Sequence, residues 1–235
     1  MNHQTLSLEG IPCMLWGEPS NRAYLYVHGQ GGCKEEAERF AAIAARHGWQ
    51  VLSLDLPGHG ARTAEADHFD PWHAAPELSA IMRYMRTHFD RAALYASSIG
   101  AYFSMLALAD QPLEHCLFVS PVLDMRRLIA NMMAWACVTE ERLEREQRIP
   151  TDFGQTLSWQ YNQYAVAHPI TRWSIPTHIL YAGQDTLTER CVVDRFVSQF
   201  HAQLTVMEDG EHWFHTPEQL RVLDSWAEAV LAMYR

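Results

Sequence analysis

Short apolar runs at residues 23–27, 51–54, 92–96, 116–119 and 177–181 are each closed off by Gly, Pro, Asp or Ser. Between most of them lie stretches with apolar residues every three or four positions, at 34–47, 76–88, 99–109, 189–200 and 217–234. The first pattern predicts strands buried on both faces and the second predicts amphipathic helices. Strand alternates with helix, which predicts an α/β fold: a mostly parallel sheet covered by helices. Residues 5–9 and 11–16, split by Gly10, predict a hairpin at one edge, and 202–206 the last strand.

The rhythm breaks between Asp124 and Trp173. That stretch has no convincing strand but carries Met125, Met132, Met133, Trp135, Phe153, Trp159, Tyr161 and Tyr164, together with the charged segment "EERLEREQR". It predicts a helical cap at 124–173 with the charged segment as its solvated face, inserted into a core formed by 1–123 and 174–235. The methionines and aromatics either line an apolar acyl or alcohol pocket or glue the cap to the body.

Composition narrows the classes. A chain of 235 residues, 48% hydrophobic and 20% charged, can bury the core of one domain. A net charge of −10 argues against nucleic acid, because phosphate binding needs a basic face. No apolar run approaches the roughly 20 residues of a membrane span, and "MNHQTLSLEG" lacks the layout of a signal peptide, so we expect a cytoplasmic protein with no membrane partner. The five cysteines are scattered without a CxxC pair, which points away from disulfides and zinc.

The stretch "LYASSIGAYFS" at 94–104 places two serines at the junction of a predicted strand and helix. A nucleophilic serine there needs a sharp turn, and the residues two before and two after it must be small because backbone approaches them closely. For Ser97 those positions hold Tyr95 and Ile99; for Ser98 they hold Ala96 and Gly100. Ser98 is therefore the candidate, with an ordinary helix N-cap as the competing reading of an A-x-S-x-G match. The backbone N–H of Ile99, at the start of the following helix, is then a candidate donor to a developing oxyanion.

Four further motifs supply context: "YVHGQGG" at 26–32, "LDLPGHG" at 54–60, "YAGQDTLT" at 181–188 and "DGEHWFHTPEQL" at 209–220. Together with "ASSIG", their order resembles the α/β-hydrolase superfamily, most closely its small, lidded esterase and lipase-like members. The resemblance spans about 20–235 and implies a largely eight-stranded sheet. It also implies a catalytic triad in the chain order serine, acid, histidine, which Ser98, Asp185 and His212 satisfy. His215 is the rival base. The resemblance has Trp213 and Phe214 packing inward, which turns His212 to the site, and it makes the backbone N–H of Gln30 the second oxyanion donor.

The implied chemistry is hydrolysis of a carboxylic ester, or a related acyl bond, of a small, apolar substrate through an acyl-enzyme, with no cofactor and no metal. "GQGGCKEE" has neither the P-loop nor the dinucleotide spacing, and His28 and His59 fall in turns without any metal-ligand spacing. Acyl transfer to a non-water acceptor, and thioester, peptide or C–C bond hydrolysis, would use the same triad. A non-catalytic binding protein on this fold is the alternative from another class.

Overall fold

The computed structural model describes residues 1–234. Its chain opens with a hairpin, β1 (His3–Leu8) and β2 (Ile11–Trp16), and continues through β3 (Arg22–Val27), α1 (Ala37–Arg46), β4 (Gln50–Leu54) and α2 (Pro71–His88). Next come β5 (Arg91–Ser97), α3 (Ile99–Leu108) and β6 (Cys116–Val119). After β6 the chain leaves the sheet for α4 (Met125–Trp135), α5 (Glu140–Glu146), β7 (Arg148–Pro150), β8 (Thr156–Ser158) and α6 (Trp159–Ala167). It returns through β9 (Thr177–Ala182), α7 (Arg190–Phe200), β10 (Gln203–Met207) and α8 (Pro217–Leu231).

Eight strands form one sheet in the order β1-β2-β4-β3-β5-β6-β9-β10, parallel from β4 onward and antiparallel at the β1–β2 and β2–β4 joints. Leu25 of β3 lies opposite Leu52 of β4 on one side and Leu94 of β5 on the other, and Phe118 of β6 opposite Ile179 of β9. The central strands are buried along their lengths, which is why they read as unbroken apolar runs.

Successive side chains feed two cores. Leu25, Leu94, Phe118 and Ile179 meet α2, α3 and α7 on one face. Tyr24, Tyr95, Leu117 and Leu180 meet α1 and α8 on the other. The chain runs from β3 to β4 on one side and then crosses to β5 on the other, so β3 and β5 are neighbours whose connections diverge. Their carboxyl ends bound a crevice, the place where open α/β sheets carry ligands.

Two local readings differ from the structure. Helix α2 begins at Pro71, capped by the Asp70 carboxylate, which accepts a hydrogen bond from the His73 N–H, and Pro76 lies inside it. The sequence reading took Pro76 for the first turn, where proline is commonest, yet Asp70-Pro71 is itself a start signal. The segment after β6 also contains a short antiparallel pair, β7–β8, whose three-residue strands are too short for a period to show. Val138, Leu143, Ile149 and Leu157 form a small core of its own, while Leu128 and Ile129 of α4 join the main core. Among the described residues no helix is long and apolar enough to cross a membrane.

Candidate active site

Ser98 occupies the single residue between β5 and α3, with φ 50° and ψ −124°. Non-glycine residues avoid positive φ, and such strain persists only where the surroundings enforce it. Here the Ser98 N–H donates to Val119 O at 3.0 Å, and Ser98 O accepts from Val122 N–H at 3.0 Å. Ala96 is fully buried. Gly100 lies against β3 so closely that a Cβ would sit 2.4 Å from His28 O, and a Cβ on Gly29 would be 3.1 Å from that of Ser98. Ser97 is the last residue of β5 and does not occupy the turn.

The Ser98 hydroxyl is 2.8 Å from His212 Nε2, and His212 Nδ1 is 2.7 Å from Asp185 Oδ2. With Nδ1–H donating to the carboxylate, Nε2 is left as an acceptor for the serine proton. The Asp185 side chain is fully shielded, and its other oxygen accepts from the N–H groups of Leu187 at 2.8 Å and Thr188 at 3.1 Å. Thr188 in turn donates its hydroxyl to Pro121 O at 3.0 Å, tying the acid's loop to the chain beside the serine.

His215 stands outside this chain of contacts. Its ring stacks on Trp213 and its Nδ1 is 2.8 Å from Trp213 O. Trp213 does not pack inward: it is 74% exposed, and only Phe214 enters the core beneath α8.

Beyond β3, the Gly32 N–H donates to Gly29 O at 3.2 Å, closing a turn over Gln30 and Gly31. Gly31 has φ +80°, the value that favours glycine at the third position of a type II turn. Its N–H donates to His59 Nε2 at 2.9 Å, and His59 Nδ1–H donates to Pro57 O at 2.9 Å. One residue earlier, His28 Nδ1–H donates to Gly29 O at 2.7 Å while its Nε2 accepts from Leu56 N–H at 3.0 Å. Burial pushes the His28 pKa down to about 4, so the ring is neutral in this role. Both imidazoles brace backbone with both ring nitrogens, which leaves neither free to ligate a metal. Ile99, the first residue of α3, has no helical carbonyl four residues before it to accept its N–H.

One supporting pair escaped the sequence reading. Asp55, fully buried after β4, accepts from Lys34 Nζ at 2.8 Å and from the N–H groups of Lys34 and Ala61, both at 2.9 Å. Burial works to raise its carboxyl, but the Lys34 ammonium and these donors outweigh burial and hold it below the usual carboxylate range. The aspartate was visible in "LDLPGHG"; that Lys34 meets it depends on how the chain returns after the turn.

A cleft of about 890 Å³ opens beside Gln30 and Gly31, between the loop leading into α2 and the segment carrying β7 and β8. None of the methionines at 125, 132 and 133 lines it; they pack against the main core or the small one after β6.

Solved structures share this architecture. Est1E from Butyrivibrio proteoclasticus, with ferulic acid bound, superposes at a TM-score of 0.77 with 16% identity over 98% of each chain. Alpha/beta hydrolase domain-containing protein 10 from mouse gives 0.80 with 12% identity over 100% of each. A soluble variant of monoglyceride lipase from Saccharomyces cerevisiae, in complex with a substrate analogue, gives 0.70 with 11% identity over 99% of this chain and 94% of that one. No curated protein matches by sequence. The family described as serine aminopeptidase, S33, matches residues 18–163, more than half of the chain. By that match, on this sheet order, the chain belongs to the serine aminopeptidase S33 family of the α/β-hydrolase superfamily.

Proposed function

We propose that the protein is a serine hydrolase that cleaves carboxylic esters through an acyl-enzyme. The observation that carries this reading is the unbroken run of contacts from the Ser98 hydroxyl through His212 to Asp185, at 2.8 and 2.7 Å. Serine is a poor nucleophile at neutral pH and needs a base in hydrogen-bond reach that is itself oriented by an acid.

In the first step Ser98 Oγ attacks the ester carbonyl and His212 Nε2 takes its proton. The carbonyl oxygen becomes an oxyanion and is received by the N–H groups of Ile99 and Gln30, each worth about 3 kcal/mol of barrier. Collapse expels the alcohol, which takes the proton from His212 and leaves the acyl group on Ser98. Water, deprotonated by the same imidazole, then releases the acid and restores Ser98. Asp185 stays ionised and holds the imidazolium in register. Braced by His28 and His59, the turn at Gln30 needs no rearrangement as charge develops. Residues 124–173 act as the cap over this end of the sheet.

The family is one of hydrolases, and the neighbours solved with ferulic acid and with a lipase substrate analogue support an ester as the scissile group. The test is labelling by a fluorophosphonate together with turnover of a nitrophenyl ester. Wild type should be labelled stoichiometrically at Ser98. Ser98→Ala should lose both labelling and about 10⁴-fold in kcat while keeping its melting temperature. Undiminished turnover in that variant would remove Ser98 as the nucleophile.

A further inference from the structure

The cleft beside Gln30 has a wall that does not suit a fatty chain. Pockets for apolar ligands are lined mostly by aliphatic and aromatic side chains. This wall contains no Leu, Ile, Val or Met; its apolar side chains are Ala66 and the rings of Phe69, Trp72 and Tyr161. Trp72 is held by Tyr161 and Tyr164, with ring centroids 5.9 and 5.6 Å away.

Charge does not define the cleft either. Its only arginine, Arg148, lies 3.6 Å from Asp67, and the Asp70 carboxylate is taken up in capping α2, accepting from the His73 N–H at 2.9 Å with His73 Nδ1 2.8 Å away. A carboxylate or phosphate on the ligand finds no arginine or lysine there without an acidic neighbour. What the wall does offer is neutral hydrogen bonding. Among the described residues, the amides of Gln155 and Gln160 make no hydrogen bond within the protein, although each can donate two and accept. Flat aromatic faces combined with free amides suit a ligand that has C–H faces and many hydroxyls.

We infer that the cleft holds a neutral polyhydroxylated group, a monosaccharide or related polyol, as the alcohol part of the ester. This rests on the reading of Ser98 as the nucleophile: Ser98 does not itself line the cleft, but Gln30, whose N–H is the second oxyanion donor of that reading, does, and its neighbour Gly29 packs on Ser98. The alcohol side is assigned by charge. Hydrolysis frees the acid as an anion, which this wall has no spare cation to hold, whereas the alcohol leaves neutral. Trp72 is the platform for the ring, and Gln155 and Gln160 are the hydroxyl partners.

The test compares butyrate esters of matched acyl group: methyl 6-O-butyryl-glucoside, ethyl butyrate, cationic butyrylcholine and the anionic ester of glycolate. The sugar ester should exceed the other three at least tenfold in kcat/KM, mostly through KM, and methyl glucoside should inhibit competitively where butanol does not. Trp72→Ala should lower the sugar-to-ethyl preference about tenfold, and Gln155→Ala about threefold. Should Trp72→Ala fail to fold, the wild-type ester series and Gln155→Ala still decide. If Ser98 turns over ethyl butyrate, or either charged ester, as well as the sugar ester, the cleft assignment is wrong while the hydrolase reading stands. If no ester is cleaved and Ser98 resists labelling, both fall.

Discussion

Gly100→Ala puts two physical effects in opposition. Gly100 is the second residue of α3, so helix propensity alone predicts a gain of about 1 kcal/mol from alanine. The added Cβ, however, would stand 2.4 Å from His28 O and 2.8 Å from Val27 O. Ordinary carbon–oxygen contact begins near 3.3 Å, so the helix must retreat by roughly 0.9 Å. The carbonyls cannot yield instead, since β3 lies between β4 and β5 in the middle of the sheet. Overpacking of this kind costs about 1–3 kcal/mol, which leaves a net loss of up to about 2 kcal/mol after the propensity gain. For a chain of this length that lowers Tm by up to about 8 °C. The effect on rate should be larger, because α3 carries Ser98 and Ile99 away from Gln30, and a misplacement near 1 Å costs about 10²-fold. The assay is thermal unfolding together with kcat/KM on a nitrophenyl ester. Gly10→Ala serves as the control: φ there is +85° and no atom lies within 4 Å of the new Cβ, so it should cost about 1 kcal/mol of strain and leave turnover alone. A Gly100→Ala enzyme as stable and as active as wild type would refute the close-approach account of the small residues around Ser98.

Other expectations follow from the supporting contacts. His59→Ala removes the acceptor of the Gly31 N–H and should lower kcat about tenfold with about 1 kcal/mol of stability; a kcat within twofold of wild type would show that the brace is idle. Lys34→Met leaves the Asp55 carboxylate buried without its cation and should cost about 3 kcal/mol near pH 7, less at acid pH where the carboxyl can protonate, measured by urea denaturation at both. Burial also lowers the pKa of His28 to about 4 and that of His115 to about 3, against about 6.5 in an unfolded chain. The unfolded state therefore binds protons first. Stability should be full above pH 6.5 and fall as pH drops through the window toward 4 and then 3, by at most about 3 and 5 kcal/mol from the two groups. A denaturation midpoint that stays flat from pH 7.5 to 4.5 would contradict the neutral burial of both rings.

The parallel strands were legible because burial on both faces leaves runs such as "AYLYV" nothing polar to alternate with. The sheet's edges read less clearly for the opposite reason: most of β1 is exposed, and β10 carries Gln203 and Thr205 outward. The start of α2 was misread by five residues, since Pro71 and Pro76 both look like first-turn prolines, and only the Asp70 carboxylate bonding the His73 N–H settles which begins the helix. The resemblance places Trp213 inward, yet it stacks on His215 in solvent. Hydrophobicity sets the average burial of a residue type and leaves the side of a loop to the backbone.

That Ser98, Asp185 and His212 meet could be read from the chain because each follows a strand, and strand order fixes which loops gather at one end of the sheet. No such rule reaches the cleft. Its wall joins the turn after β3, the loop into α2 and the β7–β8 region, which meet only through packing of the inserted segment, and each contributes residues that look like ordinary surface: Gln155, Gln160, Thr63. Of the residues that stand out in that segment, Met125, Met132 and Met133 spend their apolar character on the two cores under α4, while Tyr161 faces the cleft. Of the two readings the sequence leaves open for these methionines, lining a pocket or gluing the segment to the body, the packing matches the second, while most side chains left facing the cleft are polar ones the core had no use for. In a hydrolase-family chain of this size, which residues gather at the ends of the strands can be read in order. The cleft wall is made of what remains exposed once the segment between β6 and β9 has packed, so it has to be sought among residues that composition marks as unremarkable.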